Sequence, residues 1–262
     1  MSNIRPPAVA GTFYPDDPAV LRNYVAAALG QAARETPPIK GVRAIVAPHA
    51  GYVYSGPVAA HAFAAIGDDA DIRRIVLMGP AHTVPLSGIA APRWDAFATP
   101  LGTVPVDVKA RAKIARLPFV MIDNRPHARE HALEVELPFI QTLFPGVPVL
   151  PLVVGQTAPE DIARLMEELW DDHTLFVISS DLSHYEPYSK ARAHDDATAQ
   201  HIAVLDASAI GPHDACGAYP LRGLLLEARR HGLKPILLDL RNSGDTAGDK
   251  SRVVGYGAWA FA

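Results

Sequence analysis

Three apolar runs, each about the length of one strand and each followed closely by a histidine, constrain this chain more than any other feature. They are Arg43-Ala-Ile-Val-Ala-Pro-His49, Arg74-Ile-Val-Leu-Met-Gly-Pro-Ala-His82 and Leu175-Phe-Val-Ile-Ser-Ser-Asp-Leu-Ser-His184. Near-continuous Val/Ile/Leu content without alternation is the pattern of strands buried on both faces, as in a parallel sheet covered by helices. Pro48, Gly79 with Pro80, and Ser179 with Ser180 stop the runs, so each histidine falls just beyond a carboxyl end. Open α/β sheets bind their ligands at that edge. Imidazoles delivered there from separate strands predict a metal site or an acid/base site.

The rest of the chain fits such a sheet. Leu21, Tyr24, Val25, Ala28 and Leu29 fall on one helical face, as do Ile162, Leu165, Met166 and Leu169, and Leu221, Leu224, Leu225 and Ala228. Pro159-Glu160-Asp161 reads as a helix start, with proline tolerated in the first turn and acids favoured by the dipole. Strands are predicted at 42–47, 74–79, 148–154, 174–179, 235–240 and 252–260, which gives a βαβ-like order. Residues 131–144 carry both a strand-like alternation and a helical spacing, and we read them as helix, with Pro138 in a first turn or at a kink. Pro37-Pro38 reads as a connector. The expected fold is α/β, a three-layer sandwich around a mostly parallel or mixed sheet, forming one domain over residues 1–262. At 262 residues and 49% hydrophobic, the chain has enough apolar surface for one large core.

Composition narrows the partner. A net charge of -4 with interspersed signs gives no basic stripe for nucleic acid and no polybasic membrane patch. No apolar stretch approaches the roughly 20 residues of a membrane span, and the first residues lack the pattern of a signal peptide, so the expectation is a cytoplasmic protein acting on a small molecule or another protein. The single cysteine, Cys216, excludes an intramolecular disulfide framework.

Several residues could carry chemistry. His49 and His82 stand 33 positions apart, so they meet only through tertiary folding, but each sits in a tight, backbone-restricted loop that can hold an imidazole at a fixed angle. The alternative is two loop histidines bonded to backbone. Cys216 lies where the Leu221 helix begins, a place that lowers a thiol pKa and favours the metal-binding thiolate. The alternative is simple packing. Two imidazoles with a soft sulfur would suit iron(II), copper or zinc. Asp181 and His184 could pair as carboxylate and imidazole, or the acid could cap a turn. Glu130, His131 and Glu134 form a second polar cluster, in which His131 could serve a substrate or salt-bridge an acid. Asn242 to Lys250 is rich in turn formers and reads as an ordered active-site loop. His61, His127, His173, His194, His201, His213 and His231 lack such context, and most are expected at the surface.

Taken together these segments resemble the Memo-like family, also called AmmeMemoRadiSam system protein B, whose fold is similar to class III extradiol ring-cleaving dioxygenases. The resemblance runs nearly end to end. It rests on Gly11-Thr-Phe-Tyr-Pro15, Ala47-Pro-His-Ala-Gly-Tyr52, Gly79-Pro-Ala-His82, Glu130-His-Ala-Leu-Glu134, Ser179-Ser-Asp-Leu-Ser-His184, Cys216-Gly, Ser243-Gly-Asp and Val253-Val-Gly-Tyr256. It implies a metal pocket of His49, His82 and Cys216 for iron(II), with copper or zinc as the other ions. His184 and Asp181 would supply acid/base chemistry, and His131 would stabilise developing negative charge. The implied function is a non-haem iron oxidoreductase acting on a small, phenolic ligand. Two alternatives stand beside it: a peptide- or partner-binding protein using the inherited pocket, since human members are linked to phosphotyrosine peptides and microbial ones to a radical-enzyme partner, and a zinc hydrolase. Cys216 replaces the glutamate ligand of the dioxygenases, so ring cleavage does not follow from the fold.

Overall fold

A computed structural model describes residues 3–67 and 70–262. In chain order the strands are β1 (Ile4–Arg5), β2 (Ala44–Ala47), β3 (Arg74–Pro80), β4 (Ile89–Ala91), β5 (Ala96–Thr99), β6 (Gly102–Pro105), β7 (Val120–Ile122), β8 (Val149–Val154), β9 (Thr174–Ser179), β10 (His184–Glu186), β11 (Pro235–Asn242) and β12 (Val253–Phe261). The helices are α1 (Pro18–Glu35), α2 (Tyr52–Ala64), α3 (Val108–Ile114), α4 (Leu137–Leu143), α5 (Pro159–Leu169), α6 (Tyr188–Ala203), α7 (Ala218–His231) and the short α8 (Ser243–Thr246).

The main sheet has nine strands in the order β10-β12-β2-β9-β3-β8-β4-β7, with β11 also paired to β12. Its centre, β2-β9-β3-β8, is parallel, whereas β12 runs antiparallel to β2 and β4 antiparallel to β8, so the sheet is mixed. The side chains of the central strands alternate between two cores, as a period of two dictates. Ile45, Ile75, Leu77, Leu175 and Val177 pack with Leu21, Val25, Phe63 and Phe139, from α1, α2 and α4. Val46, Val76, Met78, Phe176 and Ile178 pack with Ile162, Leu165, Leu221 and Leu224, from α5 and α7. A strand that feeds a core on each face has no polar side to alternate. That is why the three runs read as continuous hydrophobic sequence, and it makes the fold an α/β sandwich of three layers.

All six predicted strands form, within one or two residues of the expected ends. The ambiguous stretch 131–144 resolves as a short 3-10 turn at Glu134–Glu136 followed by α4, with Pro138 in the first turn, where its missing N–H costs no hydrogen bond. Six short strands, β1, β4, β5, β6, β7 and β10, were not anticipated. Each has two to four residues, too few for periodicity to register. No helix among the described residues is long and apolar enough to cross a membrane.

Candidate metal centre

Because β2, β9 and β3 are parallel neighbours with Ala47 beside Ser179 and Met78 beside Ile178, their carboxyl ends lie side by side. The residues that follow them therefore share one edge. His49, His82 and His184 all line a single cavity of about 550 Å³ there, together with His131, Asp181 and the aromatic rings of Phe13, Tyr54, Tyr185 and Tyr256. The predicted loop after Asn242 joins this wall through Ser243 and Gly248, held by a reciprocal capping box between Asn242 and Asp245.

His49 is buried, and its ring Nδ1 lies 2.7 Å from the Ser179 hydroxyl. That hydroxyl has one proton and lies 2.7 Å from the Ala132 carbonyl, which can only accept. Glu136 Oε1, 3.0 Å away in a wholly buried carboxyl that burial pushes well above the usual carboxylate range, is the hydroxyl's other acceptor. With the Ser179 proton committed to these two acceptors, His49 Nδ1 must carry its own proton, and Nε2 carries none. Burial lowers the His49 pKa, with the neighbouring His82, His131 and His184 rings acting in the same direction.

His82 is fixed in the same tautomer by a different partner. Its Nδ1 donates to Glu130 over 2.8 Å, and its backbone N–H donates to the other carboxylate oxygen over 2.6 Å. Burial pushes the Glu130 carboxyl up, but the hydrogen bonds from His82 and from the Ala132 amide prevail and hold it below its usual range. A buried carboxylate that orients an imidazole and raises its basicity is the usual outer support of a metal ligand. Glu130→Gln is therefore expected to weaken metal binding by about 10- to 100-fold with little change in fold, measured by competitive titration against a chromophoric chelator.

The third donor has two sources. Ring nitrogens of His49, His82 and His131 lie within 4.8 Å of one another. The His131 ring stacks on His82 at 4.7 Å and lies tilted against Phe13 at 4.6 Å, with Nδ1 3.4 Å from Glu130, so a residue expected to serve a substrate or to salt-bridge an acid meets the acid and also stands at ligand distance. Cys216 Sγ lies 3.4 Å from His49 Nε2. Two donors on one ion stand about 3.5 Å apart at ordinary Zn–N and Zn–S bond lengths, so this pair also fits a shared metal. The loop carrying Cys216 reaches β9 because residue 217 is glycine: a Cβ there would lie 2.7 Å from Ser180 Cβ and 2.8 Å from the Ser179 carbonyl oxygen.

Two expectations change. The start of α7 does not make Cys216 a thiolate: burial pushes the thiol above its ordinary range, the Asp181 carboxyl adds to the effect, and the Asp181 amide donating to Sγ over 3.2 Å only partly opposes it. Nor does Asp181 orient His184. Its carboxylate accepts the backbone N–H groups of His49, at 2.8 Å, and of Ala50, and burial raises its pKa to about 7. His184 Nδ1 instead donates 2.7 Å to the Leu182 carbonyl, which again leaves Nε2 bare towards the cavity. Burial lowers the His184 pKa, so the ring is a neutral acceptor at neutral pH.

Away from the centre, His61 and His127 are buried rather than exposed. His61 pairs with Thr36, and His127 Nε2 donates to the Ala90 carbonyl in a site where burial lowers its pKa to about 3. Sequence reasoning also missed the supports Ser179, Glu136 and Glu130, because each partner lies 43 or more residues from the group it orients.

The family model for Memo-like protein matches residues 5–260. A MEMO1 family protein of Sulfolobus acidocaldarius is 36% identical over 97% of each chain, one of Aquifex aeolicus 37% identical over 97% of each, and one of Aeropyrum pernix 37% identical over 97% of this chain and 98% of that one. A solved structure of an uncharacterized protein, JW3007 from Escherichia coli K12, aligns with a TM-score of 0.46 at 14% identity, over 72% of this chain and 86% of that one. By its family model and by relatives matched from end to end, the chain belongs to the Memo-like protein family.

Proposed function

We propose that this chain binds iron(II) through His49, His82 and Cys216 and works as a non-haem iron oxidoreductase on a small phenolic ligand. The observation that supports the metal is the tautomer of the two histidines: Ser179 and Glu130 occupy both Nδ1 atoms and leave both Nε2 atoms unprotonated, on two residues that line one cavity, with Cys216 Sγ 3.4 Å from that of His49. Two neutral imidazoles and a sulfur suit iron(II), with copper and zinc as the other ions, and disfavour magnesium or calcium. When bound, iron supplies Lewis acidity and electron transfer.

The chain's own residues do the rest. His184 Nε2 accepts a proton from a ligand hydroxyl, and the Leu182 carbonyl holds the ring in place while it does so. His131, packed between His82 and Phe13, lines the same cavity and offers a ring N–H to developing negative charge. Asp181 fixes the His49–Ala50 backbone and thereby the first ligand's position. Phe13, Tyr54 and Tyr256 provide apolar area for an aromatic ring. The composition, with one cysteine, fits a reducing cytoplasm.

One observation favours a second reading. The three imidazoles within 4.8 Å of one another match a zinc site with an open position, hence a hydrolase. The thiol separates the two readings, with cobalt(II) as the probe. Above about pH 7.5 burial leaves the His49 imidazole neutral and Asp181 is largely ionised, whereas burial keeps Cys216 protonated. Metal binding through sulfur must then expel that proton, so affinity rises about tenfold per pH unit between roughly pH 7.5 and 9, and Cys216→Ser flattens the slope. A flat wild-type profile, with no thiolate-to-cobalt absorption, would place the metal on imidazoles alone.

A further inference from the structure

The mouth of the cavity is shaped by an irregularity in the sheet. β10 pairs with β12 through His184 opposite Val254 and Glu186 opposite Val253, which makes Tyr185 an extra residue on β10. Its φ is 58°, a left-handed conformation that a bulky L-residue seldom adopts. A bulge beside a site re-aims a side chain, and strain of this kind persists only where the surroundings impose it. Here the ring of Tyr185 lines the cavity while remaining 63% exposed, and the Arg252 guanidinium stands 5.3 Å from its centroid.

Arg252 directly precedes β12 and is the one lysine or arginine in this wall among the described residues. The neighbouring cations are already engaged: Arg241 pairs with Asp239, Lys190 with Glu186, and Lys250 lies over Tyr188. Arg252 has no ion pair and no side-chain hydrogen bond among the described residues, and its contact is the face of Tyr185. The acid in the same wall, Asp181, is buried and committed to the His49 and Ala50 amides.

Resting on the reading of the cavity as a ligand site, we propose that it takes an aromatic carboxylate. The ring lies against Phe13 and Tyr54 with its hydroxyl towards His184, and the carboxylate lies on Arg252. A guanidinium presents a planar fork that meets a carboxylate with two parallel hydrogen bonds, and stacking on Tyr185 restricts its plane before the ligand arrives, so less freedom is lost on binding. A cavity of about 550 Å³ accommodates one ring with a short charged arm.

The test compares 4-hydroxyphenylacetate with its neutral amide, 4-hydroxyphenylacetamide, by calorimetric titration of the full chain. A charged hydrogen-bonded pair should make the acid bind on the order of 10-fold tighter than the amide. Arg252→Ala should bring the ratio close to one, and Arg252→Lys, a point charge without the fork, should retain part of it. Thermal unfolding checks that this exposed substitution leaves the fold intact. The proposal is overturned if wild type binds the acid no better than the amide, if it fails to bind the acid at millimolar concentration, or if Arg252→Ala keeps the preference. Metal stoichiometry of wild type is measured separately. A preference for the acid in protein that takes up no metal would sink the metal proposal and leave this one standing; metal uptake without that preference does the reverse.

Discussion

His49→Ala is expected to lower metal affinity by on the order of 100-fold or more, because loss of a ligand must exceed the 10- to 100-fold cost of removing a partner that merely orients one. His49 is the hub of the site. Its Nε2 faces Cys216 Sγ at 3.4 Å, and its ring stands 5.3 Å from His82 and 5.4 Å from His131, so both candidate donor sets need it. The substitution also leaves Ser179 without its imidazole partner in a fully buried site, which costs about 1–3 kcal/mol of stability. Binding and unfolding must therefore be measured on the same sample. A variant that stays folded at the assay temperature and still takes up metal with wild-type affinity would exclude His49 as a ligand.

The largest effect on stability should come from Glu134. This carboxylate is fully buried and pairs with Arg5, also buried, over 2.6 Å. It accepts in addition the amides of Ala8 and Val9 and the Tyr14 hydroxyl. Arg5 in turn donates to the carbonyls of His127 and Glu130. Glu134→Ala leaves a buried cation and three donors unpartnered, so unfolding should become easier by about 3–5 kcal/mol and the midpoint should fall by roughly 10 °C. Replacing both members, Arg5→Met with Glu134→Leu, should recover much of the loss, because the cost lies in the stranded charge rather than in the missing attraction. Calorimetric unfolding of the single and double variants checks this. Equal stability of Glu134→Ala and wild type would show that the network contributes little. The same network clamps the segment carrying Glu130 and His131 against Phe13, so the single variant should also loosen the metal site.

This cluster shows where the sequence was legible and where it was not. Continuous Val/Ile runs ending at turns announced parallel strands buried on both faces, and the positions just beyond them announced which histidines would share an edge. That inference needs only local pattern and a rule about sheet edges, and it placed His49, His82 and His184 in one cavity. The motif at Gly11 to Pro15 was recognisable, yet its purpose was not: Phe13 packs on His131 and Tyr14 bonds Glu134, contacts spanning about 120 residues that no local spacing encodes. The same reason hid the Ser179 and Glu130 supports. Asp181 and His184, three apart, suggested a pair that the turn does not form, because the Leu182 carbonyl takes the ring's Nδ1 proton and the His49 loop claims the carboxylate. Cys216 was placed at a helix start, where dipole reasoning favours a thiolate, but burial outweighs the few aligned amides when the thiol is removed from water.

The most direct test of the central claim is X-ray absorption on wild-type protein loaded anaerobically with one equivalent of iron(II). The account predicts stoichiometric uptake and a first coordination sphere containing one sulfur and two imidazoles. Uptake of no iron, or an iron environment without sulfur that is unchanged in Cys216→Ser, would contradict it.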